Sequence, residues 1–214
     1  MIVSHSKKFI FVHNYKVAGT SVRRALKPYN HHSIIQSPFG DQFKFLFGVY
    51  PWVFSSNFDH HIDAKTLKKQ MNPEIFNAYY KFGFVRNPWD WQVSLYKFML
   101  KLETHHQHEL VKSFSGFEEY LDWRINEDLH LQKDFFYEDG ENLMDYIGKM
   151  EDLAENFQEI CQKLNINTTL KHFNASREKN DHFSRYYTKE TAELVNQAFK
   201  EDIELFGYSK PDLS

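Results

Sequence analysis

The chain has 214 residues, 42% hydrophobic and 26% charged, which is enough for one domain with a sizeable core. Its 26 Lys and Arg against 29 Asp and Glu leave a formal net charge of −3. That balance argues against a nucleic-acid reader or a general polyanion-binding surface, both of which show a basic excess, so an acidic ligand must meet a local basic patch. The single cysteine, Cys161, excludes an intrachain disulfide, and beside Phe157 and Leu164 at helical spacing it reads as a small buried hydrophobe.

Met1 to Lys8 carry no apolar run of the length a signal peptide or membrane anchor needs, so no stable membrane insertion is expected. Phe9-Ile10-Phe11-Val12 then reads as a buried strand, and a turn holding Lys16 and Gly19 follows. Thr20 or Ser21 opens a helix through Val22, Ala25 and Leu26, and Pro28 stops it. A strand, a Gly-containing turn and a helix start together suit a phosphate or sulfate. Backbone N–H groups and the helix dipole meet the anion, Lys16 adds a charge, and the two hydroxyls can donate. The Walker A spacing is absent, because Lys16 precedes the only glycine of the loop.

From Tyr29 to Phe58 the chain reads as loop, broken by Pro38, Gly40, Gly48 and Pro51. Asp63 caps a helix with Leu67 and Met71, and Asn72-Pro73 starts a second with Ile75 and Phe76. His60 and His61 stand just upstream of the Asp63 cap. Lys81 to Val85 form a second apolar strand, after which Arg86 projects beside a helix opened by Asn87-Pro88, with Asp90 at its third position. Ser94 lies two turns on and returns to nearly the same side. An Arg and a hydroxyl so placed suit a second phosphate.

The helix runs to about Leu102. Glu103 to Ser115 reads as a solvated loop whose His105, His106 and His108 lack metal-ligand spacing. Gly116 to Asp128 reads as helix, Leu143 to Met150 as a third strand, Glu151 to Leu164 as helix and Thr188 to Phe206 as the last helix. Alternating strands and helices predict an α/β fold with a mainly parallel central sheet flanked by helices, binding ligands at the strands' C-terminal ends.

K-V-A-G-T-S after a strand, followed by F-V-R-N-P-W-D and a Ser at this spacing, resembles sulfotransferase family 2. These carbohydrate sulfotransferases use 3′-phosphoadenosine 5′-phosphosulfate (PAPS). Further similarity lies in Ile147-Gly148-Lys149-Met150-Glu151-Asp152-Leu153, in His172-Phe173-Asn174-Ala175-Ser176-Arg177, and in Asp202 to Tyr208, so that it spans roughly residues 8 to 208. Two departures stand out. Asn14-Tyr15 replaces an x-P pair before the lysine, and Met150 stands where an aromatic residue is common.

The resemblance implies a P-loop-like three-layer fold, a single sulfotransferase-like domain over residues 1–214, and transfer of a sulfuryl group from PAPS to a hydroxyl of a carbohydrate or glycolipid. It assigns Lys16, Ala18, Gly19, Thr20 and Ser21 to the 5′-phosphosulfate and Arg86 with Ser94 to the 3′-phosphate. Ser176 and Arg177 fall in a loop over the nucleotide, and Lys16 stabilises charge on the leaving oxygen. His61 takes the position of the family's general base, with His60 its direct competitor and Glu151 a weaker one. No metal is expected, because the leaving phosphate is already clamped by cations. A cytoplasmic, bacterial enzyme is the expected setting. Two rivals remain at this stage: a P-loop-type kinase, and a non-catalytic nucleotide- or sugar-binding relative.

Overall fold

The computed structural model describes residues 1–30, 61–170 and 182–213. They divide into two compact units, Met1–Val85 with Asp134–Phe173 and Arg86–Lys133 with Asn174–Ser214. The strands are β1 (Ile2–Ser4), β2 (Phe9–Phe11), β3 (Tyr80–Val85), β4 (Tyr137–Glu138), β5 (Glu141–Asn142) and β6 (Tyr146–Lys149). The described helices, in chain order, are α1 (Gly19–Leu26), α2 (Ala64–Gln70), α3 (Pro73–Ala78), α4 (Pro88–Lys101), α5 (His108–Ser113), α6 (Phe117–Asn126), α7 (Leu153–Lys163), α8 (Lys189–Ala198) and α9 (Lys200–Leu205).

The first unit holds a four-stranded sheet in the order β1-β2-β3-β6. β2, β3 and β6 run parallel, and β1 joins the edge antiparallel. This is the expected α/β class with a mainly parallel sheet, consistent with a P-loop-like three-layer fold. Phe9, Phe11, Phe82 and Phe84 are fully buried and pack with Val22 and Leu26 of α1 and with Phe157 and Ile160 of α7. Truncating a buried leucine such as Leu26 to alanine costs about 2–5 kcal/mol. Gly83 is required in β3 because a Cβ there would lie 2.4 Å from the Phe136 ring and 3.1 Å from the Val12 carbonyl. The third strand is shorter than its apolar run suggests. Asp145 is spent at its start, where its carboxylate accepts the Lys81 N–H at 2.7 Å and pairs with Lys81 Nζ at 2.9 Å.

The second unit is helical. Trp89, Trp91, Val93, Leu95 and Met99 of α4 form one buried cluster with Phe117, Tyr120 and Leu121 of α6 and Ala192 and Val195 of α8. Trp89 also donates its indole N–H to the Ala192 carbonyl at 3.0 Å, and Tyr187 donates to the Trp89 carbonyl at 2.8 Å.

Several expectations need correction. α1 begins at Gly19 rather than Thr20 or Ser21, and Pro28 sits inside a 3₁₀ turn, Lys27–Tyr29, that continues it. The stretch read as solvated loop contains α5, anchored where His108 Nδ1 donates to the Met99 carbonyl at 2.8 Å. The last helix is two, because Phe199 leaves helical geometry at φ −105° and ψ 22° and turns its fully buried ring into the cluster. β1 and the β4–β5 hairpin are additional elements.

Candidate functional site

The loop from Val12 to Ala18 joins β2 to α1, and its backbone is unusual. Lys16 and Ala18 both lie in the left-handed region, at φ 57° and 58°. That conformation costs a residue with a Cβ about 1–2 kcal/mol, a strain that concentrates where the chain serves a ligand. Ala18 is the residue before α1 and offers no side-chain cap. Its carbonyl accepts from Ser21 N at 2.9 Å and Val22 N at 3.2 Å. Among the described residues, the N–H groups of Gly19 and Thr20 meet no acceptor. A left-handed residue followed by a helical one turns successive N–H groups toward one point, and this nest is a concavity for an anion. The Ser21 N–H closes the first helical turn on the Ala18 carbonyl. Ser21 keeps its hydroxyl.

Gly19 is fixed by steric need. A Cβ built there would fall 1.5 Å from His13 Nε2, so the imidazole occupies the space a side chain would fill. His13 is buried and stacks on Phe11 with ring centroids 5.7 Å apart.

His61 belongs to the same unit and meets the same loop. Its Nδ1 lies 3.0 Å from the His13 carbonyl oxygen. A carbonyl only accepts, so Nδ1 carries the proton, and in the neutral ring the basic lone pair is on Nε2. The His61 ring also contacts the His13 ring at 4.4 Å and the Tyr15 ring at 4.1 Å. Two residues later Asp63 caps α2 by accepting from Thr66 N at 2.7 Å, as its position suggests.

In the second unit Arg86 and Ser94 flank the first turns of α4. Asn87 accepts from the N–H groups of Trp89 and Asp90 at 3.1 and 3.2 Å, so this helix start is capped by its own side chain. Asp90 accepts from Arg86 Nε at 2.8 Å, with both side chains largely buried. Ser94 lies one turn beyond Asp90, so the two share a face of α4. Arg86 is further held through its backbone. Its N–H donates to Gln132 Oε1 at 2.9 Å, and its carbonyl accepts from Gln132 Nε2 at 2.7 Å. Gln132 is in turn fixed by the fully buried Asp202, which accepts the N–H groups of Gln132 and Lys133 at 2.7 and 2.9 Å.

Sequence reasoning missed Gln132 and Asp202 as supports of Arg86, and His13 and Tyr15 as neighbours of His61. Asp202 alone carried a signal, as an acid at the head of the closing motif. His60, Ser176, Arg177 and most of the 29–58 segment lie outside the described residues. Cys161 is buried as expected, and burial pushes its thiol up to about 11, which leaves it without thiolate character at neutral pH. His105 stacks on His106 at 4.5 Å, and burial lowers its pKa. Among the described residues no three His, Cys, Asp or Glu side chains group to hold a metal ion. No described helix is long and apolar enough to cross a membrane.

An α/β unit whose first parallel strand leads through a left-handed loop into a helix start has the backbone form of an anion-binding turn. The sulfotransferase family model matches residues 1–209, and the chain belongs to that family, in the family 2 group that its motifs resemble. A search of curated proteins returns no match. Family membership supports a transferase that moves a sulfuryl group from a sulfonate donor to an acceptor substrate.

Proposed function

We propose that the protein transfers the sulfuryl group of PAPS to a hydroxyl of a carbohydrate or glycolipid. The observation that carries this reading is the loop after β2. It combines two strained residues, Lys16 and Ala18, with a pair of N–H groups at Gly19 and Thr20 that meet no acceptor among the described residues. A neutral side-chain cap would have satisfied those donors, and the sequence spends strain to leave them for an anion.

When bound, the donor supplies an activated sulfuryl group with a phosphate as its leaving group. The chain's own residues then have distinct tasks. The N–H groups of Gly19 and Thr20, with the hydroxyls of Thr20 and Ser21, hold the 5′-phosphate. Lys16 supplies positive charge where the leaving oxygen gains negative charge. Arg86 and Ser94 hold the 3′-phosphate, and Ser176 and Arg177 add to the nucleotide contacts. His61 accepts the acceptor's proton at Nε2, since its Nδ1 is committed to the His13 carbonyl.

The test is binding and turnover together. Calorimetry should show adenosine 3′,5′-bisphosphate binding well ahead of 5′-AMP and of ATP, with or without Mg²⁺. Lys16→Ala should lower kcat for labelled PAPS far more than it weakens the bisphosphate. His61→Ala should lose about 10²–10⁴-fold in kcat with nucleotide affinity retained. Preference for ATP with Mg²⁺ would establish the kinase alternative, and bisphosphate binding without turnover would establish a binding relative.

A further inference from the structure

We infer that Tyr15 is a positioning residue that sets the plane of the His61 imidazole. The inference rests on the reading of His61 as the base. A hydrogen bond, Nδ1 to the His13 carbonyl at 3.0 Å, fixes one point of the ring, and a plane needs more than one point. Two rings pack against the imidazole. His13 meets His61 at 4.4 Å with a 39° tilt, whereas Tyr15 meets it at 4.1 Å and only 26°. Tyr15 is therefore the nearer and more parallel surface.

Tyr15 is itself held. Its N–H donates to the side chain of the fully buried Asn14 at 2.6 Å, and its ring meets Phe135 edge to face at 5.2 Å and 84°. With 41% of Tyr15 exposed, the residue lies at the surface of the core rather than within it. His13, Tyr15 and Lys16 belong to one short loop, so the plane of the base is referenced to the same backbone that carries the lysine. His13 and Tyr15 are both titratable rings that face His61 among the described residues. Once His61 holds a proton, the π face of Tyr15 is also a favourable neighbour for the imidazolium. At this position the family pattern has proline, which offers a ring to pack but no π face.

The experiment uses the full chain with Tyr15→Phe, Tyr15→Leu and His61→Ala. Imidazole nitrogen and proton NMR reads the His61 tautomer and the upfield shift imposed by a stacked ring. Release of adenosine 3′,5′-bisphosphate from PAPS, with water as acceptor, reads turnover. Tyr15→Phe should match the wild type in both. Tyr15→Leu should lose the upfield shift, populate both tautomers and lower kcat about tenfold at unchanged KM for PAPS. An unchanged His61 signal in Tyr15→Leu, or a loss confined to KM, overturns the inference. An unchanged kcat in His61→Ala overturns the reading of His61 as base, whatever Tyr15 does.

Discussion

Two helices of this protein, α1 and α4, each begin just after a strand of the parallel pair β2 and β3, and they treat their first turns in opposite ways. At α4 the donors are satisfied internally: Asn87 takes two N–H groups, and Pro88 has no N–H to satisfy. At α1 the corresponding place is held by Ala18, which has no side-chain acceptor, and two N–H groups meet no acceptor among the described residues. A helix start can thus bind an anion with its backbone, or it can cap itself and present a side chain instead. On the proposed reading α1 follows the first design and α4 the second, with Arg86 pinned beside its capped end by Asp90. The difference teaches that a strand-to-helix junction alone does not identify a phosphate cradle. The capping residue decides which kind of binding group is offered.

The largest expected effect comes from closing the backbone cradle. Gly19→Ala drives a Cβ into the His13 ring, a clash that neither residue can avoid cheaply because His13 is packed on both Phe11 and His61. Urea unfolding should show a loss of about 3 kcal/mol or more. Affinity for adenosine 3′,5′-bisphosphate should fall about a hundredfold beyond that expected from the unfolded fraction. A variant as stable and as tight as wild type would remove the special status of the α1 end.

Next in size is the side-chain half of the comparison. Arg86→Ala should weaken adenosine 3′,5′-bisphosphate by about 2–4 kcal/mol, through loss of charge-assisted contacts and a poorly paired phosphate. The affinity for 5′-AMP should barely move. Equal losses for both nucleotides would show that Arg86 supports the fold rather than reading the 3′-phosphate. Arg86→Lys should restore only part of the binding, because an ammonium cannot reproduce the planar fork.

Smaller again is the cap. Asn87→Ala should lower stability by about 1 kcal/mol, up to about 2, with nucleotide affinity nearly unchanged, since its side-chain oxygen caps the helix. The smallest effect should be of opposite sign. Ala18→Gly relieves the left-handed strain and adds flexibility to the unfolded chain, for a net gain of about 0.5 kcal/mol. It should appear as a higher urea midpoint at constant slope.

The parts of this fold that were legible in the sequence are those whose cause is local. Phe9 to Val12 and Lys81 to Val85 are apolar runs buried on both faces, and they read as strands. Asp63, Asn72-Pro73 and Asn87-Pro88 signal helix starts by chemistry acting within three residues, and all three cap as read. The β4–β5 hairpin went unread although its turn, Asp139-Gly140, carries a local signal, and both residues adopt positive φ. β1 is three residues long and gains definition only from pairing with β2. α5 lacks an apolar stripe and depends on burial of His108 and Val111.

In the candidate site, Lys16 and Gly19 were visible as a strand-turn-helix pattern and Arg86 as a cation at a strand end. Contacts across the fold were not visible. His13 against Gly19, Tyr15 against His61, and Gln132 against Arg86 depend on three-dimensional proximity that no periodicity encodes.

The support of Arg86 also has a temporal consequence. Gln132 lies 46 residues beyond Arg86, and Asp202 a further 70 beyond Gln132. On a ribosome moving at about 5–20 residues per second, the arginine segment waits on the order of ten seconds for the carboxylate that completes its support. Through that interval Gln132 lacks the buried acceptor of its N–H, and the helical unit cannot close its cluster around Phe199. Nascent chains arrested before residue 199 should therefore be cleaved readily by protease between residues 127 and 133, and chains extended beyond Tyr208 should resist. The ability to hold the arginine in place is in this sense acquired long after the arginine itself.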